Sequence, residues 1–286
     1  MKQIKIQCPA KINLTLKVLN KREDGFHNIE SVMQTINLFD YLTIDFEPSE
    51  GVEISLDGNS SEIPYNEKNL VYKACRLFME KTGLKGKISV YIDKNIPVSA
   101  GLAGGSTDGA GSIFGLNDIF DKPLSRKELH ELCAKLGSDL NVCLEGGRLL
   151  ATGRGEVIEP LGFEEFNVSL IKPIGLGISA KEAYGKFAEK SGKLKVESEK
   201  LNNFQFSTFN FQLKSDKHNS QFKNFLEWAI IDDYEELQKI KRLYPKSMMS
   251  GSGSTYFIVN DEFQQLEGYW VMNDLNAVNY GCRVVE

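Results

Sequence analysis

A glycine-rich loop set between a strand and a helix constrains this chain more than any other feature. The loop reads Pro97-Val98-Ser99-Ala100-Gly101-Leu102-Ala103-Gly104-Gly105-Ser106-Thr107-Asp108. Before it, Ile88-Ser89-Val90-Tyr91-Ile92 has the alternation of a strand. After it, Ala110, Ile113, Phe114 and Leu116 sit in a small-residue stretch compatible with a helix. Glycines let a backbone approach a ligand and turn successive N–H groups inward. A helix start adds unpaired N–H donors and the positive end of its dipole. Together these predict an anion site, and the usual anion is phosphate.

The loop is not a Walker A loop, because Ser106 follows Gly105 with no lysine between them. It is not the dinucleotide fingerprint either, because its glycines fall at 101, 104 and 105. A plain flexible linker is the competing reading, and the strand–loop–helix context argues against it. Lys94, just ahead of the loop, is a candidate phosphate cation, with a solvated turn lysine as the alternative. The hydroxyls of Ser106 and Thr107 could reach phosphate oxygens or a metal.

Composition narrows the partners. A chain of 286 residues with 41% hydrophobic and 26% charged residues has room for one large or two ordinary cores. Its formal charge of −5 offers no global basic field, so no nucleic-acid partner is expected. The five cysteines, at 8, 75, 133, 143 and 282, contain no Cys-x-x-Cys and predict buried reduced thiols in the cytoplasm. The histidines, at 27, 130 and 218, are too scattered for a metal centre. No signal peptide and no membrane span are expected.

Periodicity predicts an α+β chain in two halves, residues 1–156 and 157–286. Residues 2–8 and 12–19 alternate as strands, and Tyr41 to Phe46 and Val52 to Leu56 follow. Leu70, Ala74, Leu77 and Phe78 repeat at helical spacing. Ser125 and Glu128 form a capping box ahead of a helix that Gly137 would close. In the second half, Val168 to Ile171, Thr255 to Val259 and Cys282 to Val285 read as strands. Helices are predicted from Ser179, around 221–230 and 232–243, and over 261–274. Residues 191–220, rich in Lys, Ser, Asn and Phe, read as a loose surface excursion.

The loop resembles the ATP loop of the GHMP kinase superfamily, Pro-x-x-x-Gly-Leu-Gly-x-Ser-Ser. Pro9-Ala10-Lys11-Ile12-Asn13-Leu14 resembles its first motif, and Met249-Ser250-Gly251-Ser252-Gly253-Ser254 its third. Three motifs in order span nearly the whole chain. Within the superfamily, Asp24-Gly25-Phe26-His27, Gly137-Ser138-Asp139-Leu140-Asn141-Val142 and Ala151-Thr152-Gly153-Arg154-Gly155-Glu156 resemble segments of the 4-diphosphocytidyl-2-C-methyl-D-erythritol kinases. The departures are Ala103 for a glycine, Asn141 and Ser254 for prolines, and Asn224-Phe225-Leu226-Glu227 for Asn-Asp-Leu-Glu.

The resemblance implies a GHMP fold: a ribosomal-protein-S5-domain-2-like first half and a ferredoxin-like second half. It implies ATP with Mg²⁺, and cytidine diphosphate methylerythritol phosphorylated on its 2-hydroxyl. Lys11 and Asp139 map onto the catalytic pair. On its own, Asp139 reads more readily as an N-cap, and Lys11 merely as a polar residue at a strand start. The ATP side maps onto the loop at 97–107, Lys94, Asn69 and Leu70. The cytidine side maps onto Asn13, onto Phe26 and Tyr184 as the rings that stack on the base, and onto His27 as its hydrogen-bond partner, though Tyr184 with Ala180, Ala183 and Phe187 also reads as a core helix face. Another GHMP kinase, or a GHMP-fold binding protein without catalysis, are the rival readings.

Overall fold

The computed structural model describes residues 2–193 and 224–285. Most of the excursion expected at 191–220, and His218, lie outside them. The first sheet is built on β3 (His27–Glu47), a strand of 21 residues. Antiparallel to it run β1 (Lys2–Asn13) on one side and β5 (Gly86–Asp93) on the other. β4 (Val52–Gly58) adds in parallel to β5, joined through helix α1 (Leu70–Thr82). Farther along β3 pair β2 (Lys17–Lys21) and β6 (Arg148–Thr152), and β6 carries β7 (Val157–Pro160).

Pro9 cannot donate a ladder hydrogen bond, and the β1–β3 register slips between Pro9 and Ala10. A bulge re-aims the residues beyond it. Here they are Lys11 to Asn13, so the break that sequence periodicity places near residue 12 is a shift within one continuous strand.

Helix α2 (Gly104–Ile119) lies across β1 and β3. Its small residues follow from that approach. A Cβ on Gly111 would stand 2.3 Å from Cys8 Sγ, and one on Gly115 would stand 2.7 Å from Ile44 Cδ1. Helices α3 (Arg126–Leu136) and α4 (Leu140–Glu145) complete this layer. The capping box of Ser125 and Glu128 forms as read. Gly137 ends α3 in an extended conformation, not the left-handed one.

The second sheet is antiparallel, in the order β11-β8-β10-β9. Its strands are β8 (Asn167–Pro173), β9 (Met248–Met249), β10 (Tyr256–Val259) and β11 (Tyr269–Asn276). Helices α5 (Ala180–Lys193), α6 (Phe225–Ile230) and α7 (Glu235–Leu243) belong to this half. The helix expected over 261–274 is corrected. A turn at Gly268 (φ 84°) starts β11, and Tyr269, Trp270 and Val271 pair with Pro173, Lys172 and Ile171. Aromatic and β-branched residues beside a ready strand override the weak helical spacing.

Two segments expected in the second half pair into the first sheet. One is β7; the other is β12 (Arg283–Val285), antiparallel to β1. A buried cluster joins the two sheets, with Ile12 and Ile36 from one and Leu170, Phe257 and Leu275 from the other. Among the described residues, no helix is long and apolar enough to cross a membrane.

Candidate active site

The bulge in β1 sends Lys11 into the seam between the halves, where its side chain is 3% exposed. A buried ammonium needs partners. Lys11 Nζ donates to Asn13 Oδ1 at 2.7 Å and to the Gly101 carbonyl at 3.0 Å, and lies 3.4 Å from Asp139 Oδ2. Asp139 stands at the N-cap position of α4 but makes no side-chain cap bond. Its carboxylate turns to Lys11 and remains 30% exposed. The capping role that sequence alone offers for this residue is therefore not the one its side chain adopts.

The three motifs meet around this lysine. Lys11 N–H donates to the Leu102 carbonyl, and Thr255 N–H to the Ala100 carbonyl. Ser250 Oγ donates to the Gly101 carbonyl at 2.9 Å and accepts from Asn13 N–H at 3.3 Å. Asn13 Nδ2 donates to Ser31 Oγ at 2.9 Å.

The loop coils through left-handed residues at alternate positions: Ser99 (φ 52°), Gly101 (φ 75°) and Ala103 (φ 61°). Such alternation gathers N–H groups on one side. Ala103 precedes α2 without capping it. The first N–H groups of the helix, at Gly104, Gly105 and Ser106, thus have no intrahelical acceptor. Pro97, Val98 and Ser106 are half-buried, Ser99 and Gly105 exposed, and Ala100 and Leu102 buried.

Two ATP-side expectations change. Thr107 is fully buried with its hydroxyl 3.8 Å from Cys282 Sγ, because the fourth helical residue has rotated onto the core. The Lys94 ammonium is buried between Asp40 and Asp108, not presented to the loop's mouth. Asn69 caps α1 through Val71 N–H, while Leu70 reaches the start of α2, near Gly105 and Gly109.

On the other side of Asp139, His27 stacks on Tyr184 with ring centroids 5.5 Å apart and planes 15° from parallel. The expected arrangement had Phe26 and Tyr184 facing the base and His27 bonding its edge. Here Phe26 is 51% exposed and the Arg154 guanidinium lies over its ring, 5.0 Å from the centroid. Burial, then Lys21, lowers the His27 pKa, which favours its neutral imidazole. Burial first and the Asp139 charge second raise the Tyr184 phenol, so the aromatic pair stands within the field of the carboxylate. Tyr184 also packs against the second half's core, as its core-face reading expects.

Comparison with known proteins gives the family. The 4-diphosphocytidyl-2-C-methyl-D-erythritol kinase of Thermoanaerobacter pseudethanolicus is 38% identical over 277 residues, 93% of this chain and 90% of its own length. The chain belongs to the 4-diphosphocytidyl-2-C-methyl-D-erythritol kinase family. The enzyme of that name from Thermodesulfovibrio yellowstonii is 37% identical over 97% of this chain and 95% of its own. The GHMP kinases N terminal domain matches residues 69–147. A crystal structure of 4-(cytidine 5'-diphospho)-2C-methyl-D-erythritol kinase superposes with a TM-score of 0.69 at 24% identity, covering 95% of this chain and 99% of that one. A mevalonate kinase of L. major, at 12% identity, reaches the same TM-score over 98% of this chain and 97% of its own. The fold is thus the common GHMP kinase fold, and sequence identity separates this family within it.

Sequence reading did not single out two residues that complete the site's frame. Asn224 caps α6 through Leu226 N–H and donates to the Met249 and Gly251 carbonyls, each at 2.7 Å. Glu227 accepts from Met249 N–H at 3.1 Å. Their signal was the altered Asn-Phe-Leu-Glu segment, which keeps both of these side chains. Asn141, where a proline is usual, donates to the Glu156 carbonyl at 2.7 Å and so ties α4 to the turn after β6.

Proposed function

We infer that this chain is an ATP-dependent kinase that phosphorylates the 2-hydroxyl of 4-diphosphocytidyl-2-C-methyl-D-erythritol, on the non-mevalonate route to isoprenoid precursors. The observation that carries the reading is the Lys11 ammonium, set between the Asp139 carboxylate and the Gly101 carbonyl of the phosphate loop. It brings the acceptor side and the donor side to one charge.

Phosphoryl transfer is mostly positioning and charge stabilisation. The N–H groups of Gly104, Gly105 and Ser106 hold the triphosphate at the α2 dipole, and Asn69 and Leu70 border the adenine. Asp139 accepts the proton of the 2-hydroxyl as that oxygen bonds to the γ-phosphorus and the bond to ADP breaks. Lys11, 3.4 Å from Asp139, stabilises charge on the attacking oxygen. Ser106, half-buried on the first turn of α2, is the hard oxygen donor that suits Mg²⁺, an ion held chiefly by phosphates and waters. Bound there, Mg²⁺ neutralises charge on the phosphate oxygens. On the substrate side, Phe26, His27 and Tyr184 form the cytosine pocket, with Asn13 beside the methylerythritol. The five buried free cysteines suit a reducing cytoplasm.

A coupled ATP-consumption assay tests this. The cytidine substrate should turn over, and Asp139→Asn should lower kcat by about 10²–10⁴-fold while nucleotide still binds. The uridine analogue reverses the donor and acceptor on the base edge and should lose roughly 10⁴-fold in kcat/KM. Equal use of both bases, or of mevalonate, would exclude this substrate.

A further inference from the structure

Three charges are buried beneath the phosphate loop. The side chain of Asp40, on β3, is 0% exposed; those of Lys94 and of Asp108, on α2, are each 4% exposed. Lys94 Nζ bonds Asp40 Oδ2, and donates to Asp108 Oδ2 at 2.8 Å. The other oxygen of Asp40 accepts the backbone N–H groups of Asn95 at 2.6 Å and Ile96 at 2.8 Å. Those two residues are where β5 becomes the loop. Asp108 lies one turn beyond the point where the loop becomes α2. The ammonium also sits against that junction: a Cβ on Gly104 would lie 2.7 Å from Lys94 Nζ.

Stability alone is a poor reason for such a cluster. Desolvating buried ions offsets much of their attraction, and apolar replacements are often as stable. This one also leaves a defect, since Asp108 Oδ1 is buried with no hydrogen-bond partner. What the cluster supplies is geometry. One carboxylate holds the entry of the loop, one ammonium joins it to the exit, and the loop between them cannot change length or pitch. We propose that Asp40, Lys94 and Asp108 are positioning residues that clamp both ends of the loop and hold the N–H groups at 104–106 in the geometry the triphosphate needs. The proposal rests on the reading of this loop as the ATP site.

Asp108→Leu separates geometry from charge balance. It cuts the tether to α2 but keeps the Asp40–Lys94 pair, so no unpaired charge is left buried. The KM for ATP and the affinity for a non-hydrolysable ATP analogue should weaken about tenfold, with the KM for the cytidine substrate within about twofold of the parent. Asp108→Asn retains an oxygen for Lys94 and should restore ATP affinity to within about twofold. Gly104→Ala is the second route should Asp108→Leu not fold. Its methyl group points into the protein at Lys94, and it should weaken ATP without affecting the cytidine substrate. A lower melting temperature with ATP affinity unmoved in these variants would overturn the proposal and make the cluster a stability feature only. A parent protein that fails to bind the ATP analogue would overturn the ATP reading itself, whatever the variants do.

Discussion

Gly101→Ala tests the seam on which the site depends. A Cβ at this position would lie 2.0 Å from the Ser250 carbonyl oxygen and 3.1 Å from the Gly253 nitrogen. Carbon–oxygen contacts begin near about 3.3 Å, so the two loops must part by roughly 1 Å. Both obstacles are backbone, and neither can swing away. The left-handed φ of 75° adds a penalty of roughly 1–2 kcal/mol for a residue with a Cβ, and overpacking about 1–3 kcal/mol. The expected loss of about 2–5 kcal/mol lowers the melting temperature by roughly 5–15 °C. The Gly101 carbonyl accepts from both Lys11 Nζ and Ser250 Oγ, so the displacement passes directly to the lysine beside Asp139. A misplacement of about 1 Å at such a centre lowers turnover about 10²-fold. Steady-state kinetics on the folded variant, beside a thermal melt, measure both effects. A variant that melts with the parent and turns over within about threefold would refute the argument, because the seam would then yield without moving Lys11.

Ala103 holds a left-handed φ of 61°, so Ala103→Gly should add about 1 kcal/mol and raise the melting temperature by roughly 2–4 °C in a fluorescence melt; no rise would mean that the loop relaxes around the alanine. Glu145 is held at a pKa of about 2, first by its hydrogen bond to His130, with Arg126 adding to the effect. A carboxyl depressed in the folded state stabilises above its unfolded pKa, and that contribution disappears as pH falls towards 2. Urea midpoints between about pH 5 and pH 2 should therefore fall more steeply in the parent than in Glu145→Gln, and parallel curves would exclude the coupling.

The local features were legible in the sequence. The capping box at Ser125 needs only its own four residues, and it forms as read. The glycine loop and the helix after it depend on residues within one continuous segment, and they too stand where periodicity placed them. Lys11 and Asp139 were marked by resemblance, since their 3.4 Å approach joins residues far apart in the chain. What stayed hidden is long-range. Lys94 looked like a phosphate cation or a turn lysine because its two carboxylates lie 54 residues before it and 14 after it. Thr107 looked like a ligand because nothing near it in sequence announces Cys282. The helix read over 261–274 became a strand because β8, almost a hundred residues earlier, offers an open edge. Stacking of His27 on Tyr184 likewise depends on where α5 docks, which no local pattern encodes.

The strand at the end of the described chain imposes a schedule on synthesis. Lys5 pairs with Val285 and Gln7 with Arg283, so β1 acquires its outer neighbour only once residues 283–285 have been made. While the ribosome works through the intervening residues, β1 presents a bare row of amides and carbonyls, a template for pairing with another nascent chain. The closing contact is also among the most distant in sequence that the fold contains, and contacts of that kind form slowly. Synthesis of residues 283–285, rather than growth of the first half, is therefore the step that seals this sheet. Deletion of residues 283–285 should yield protein that keeps Lys11 and Asp139 and still aggregates.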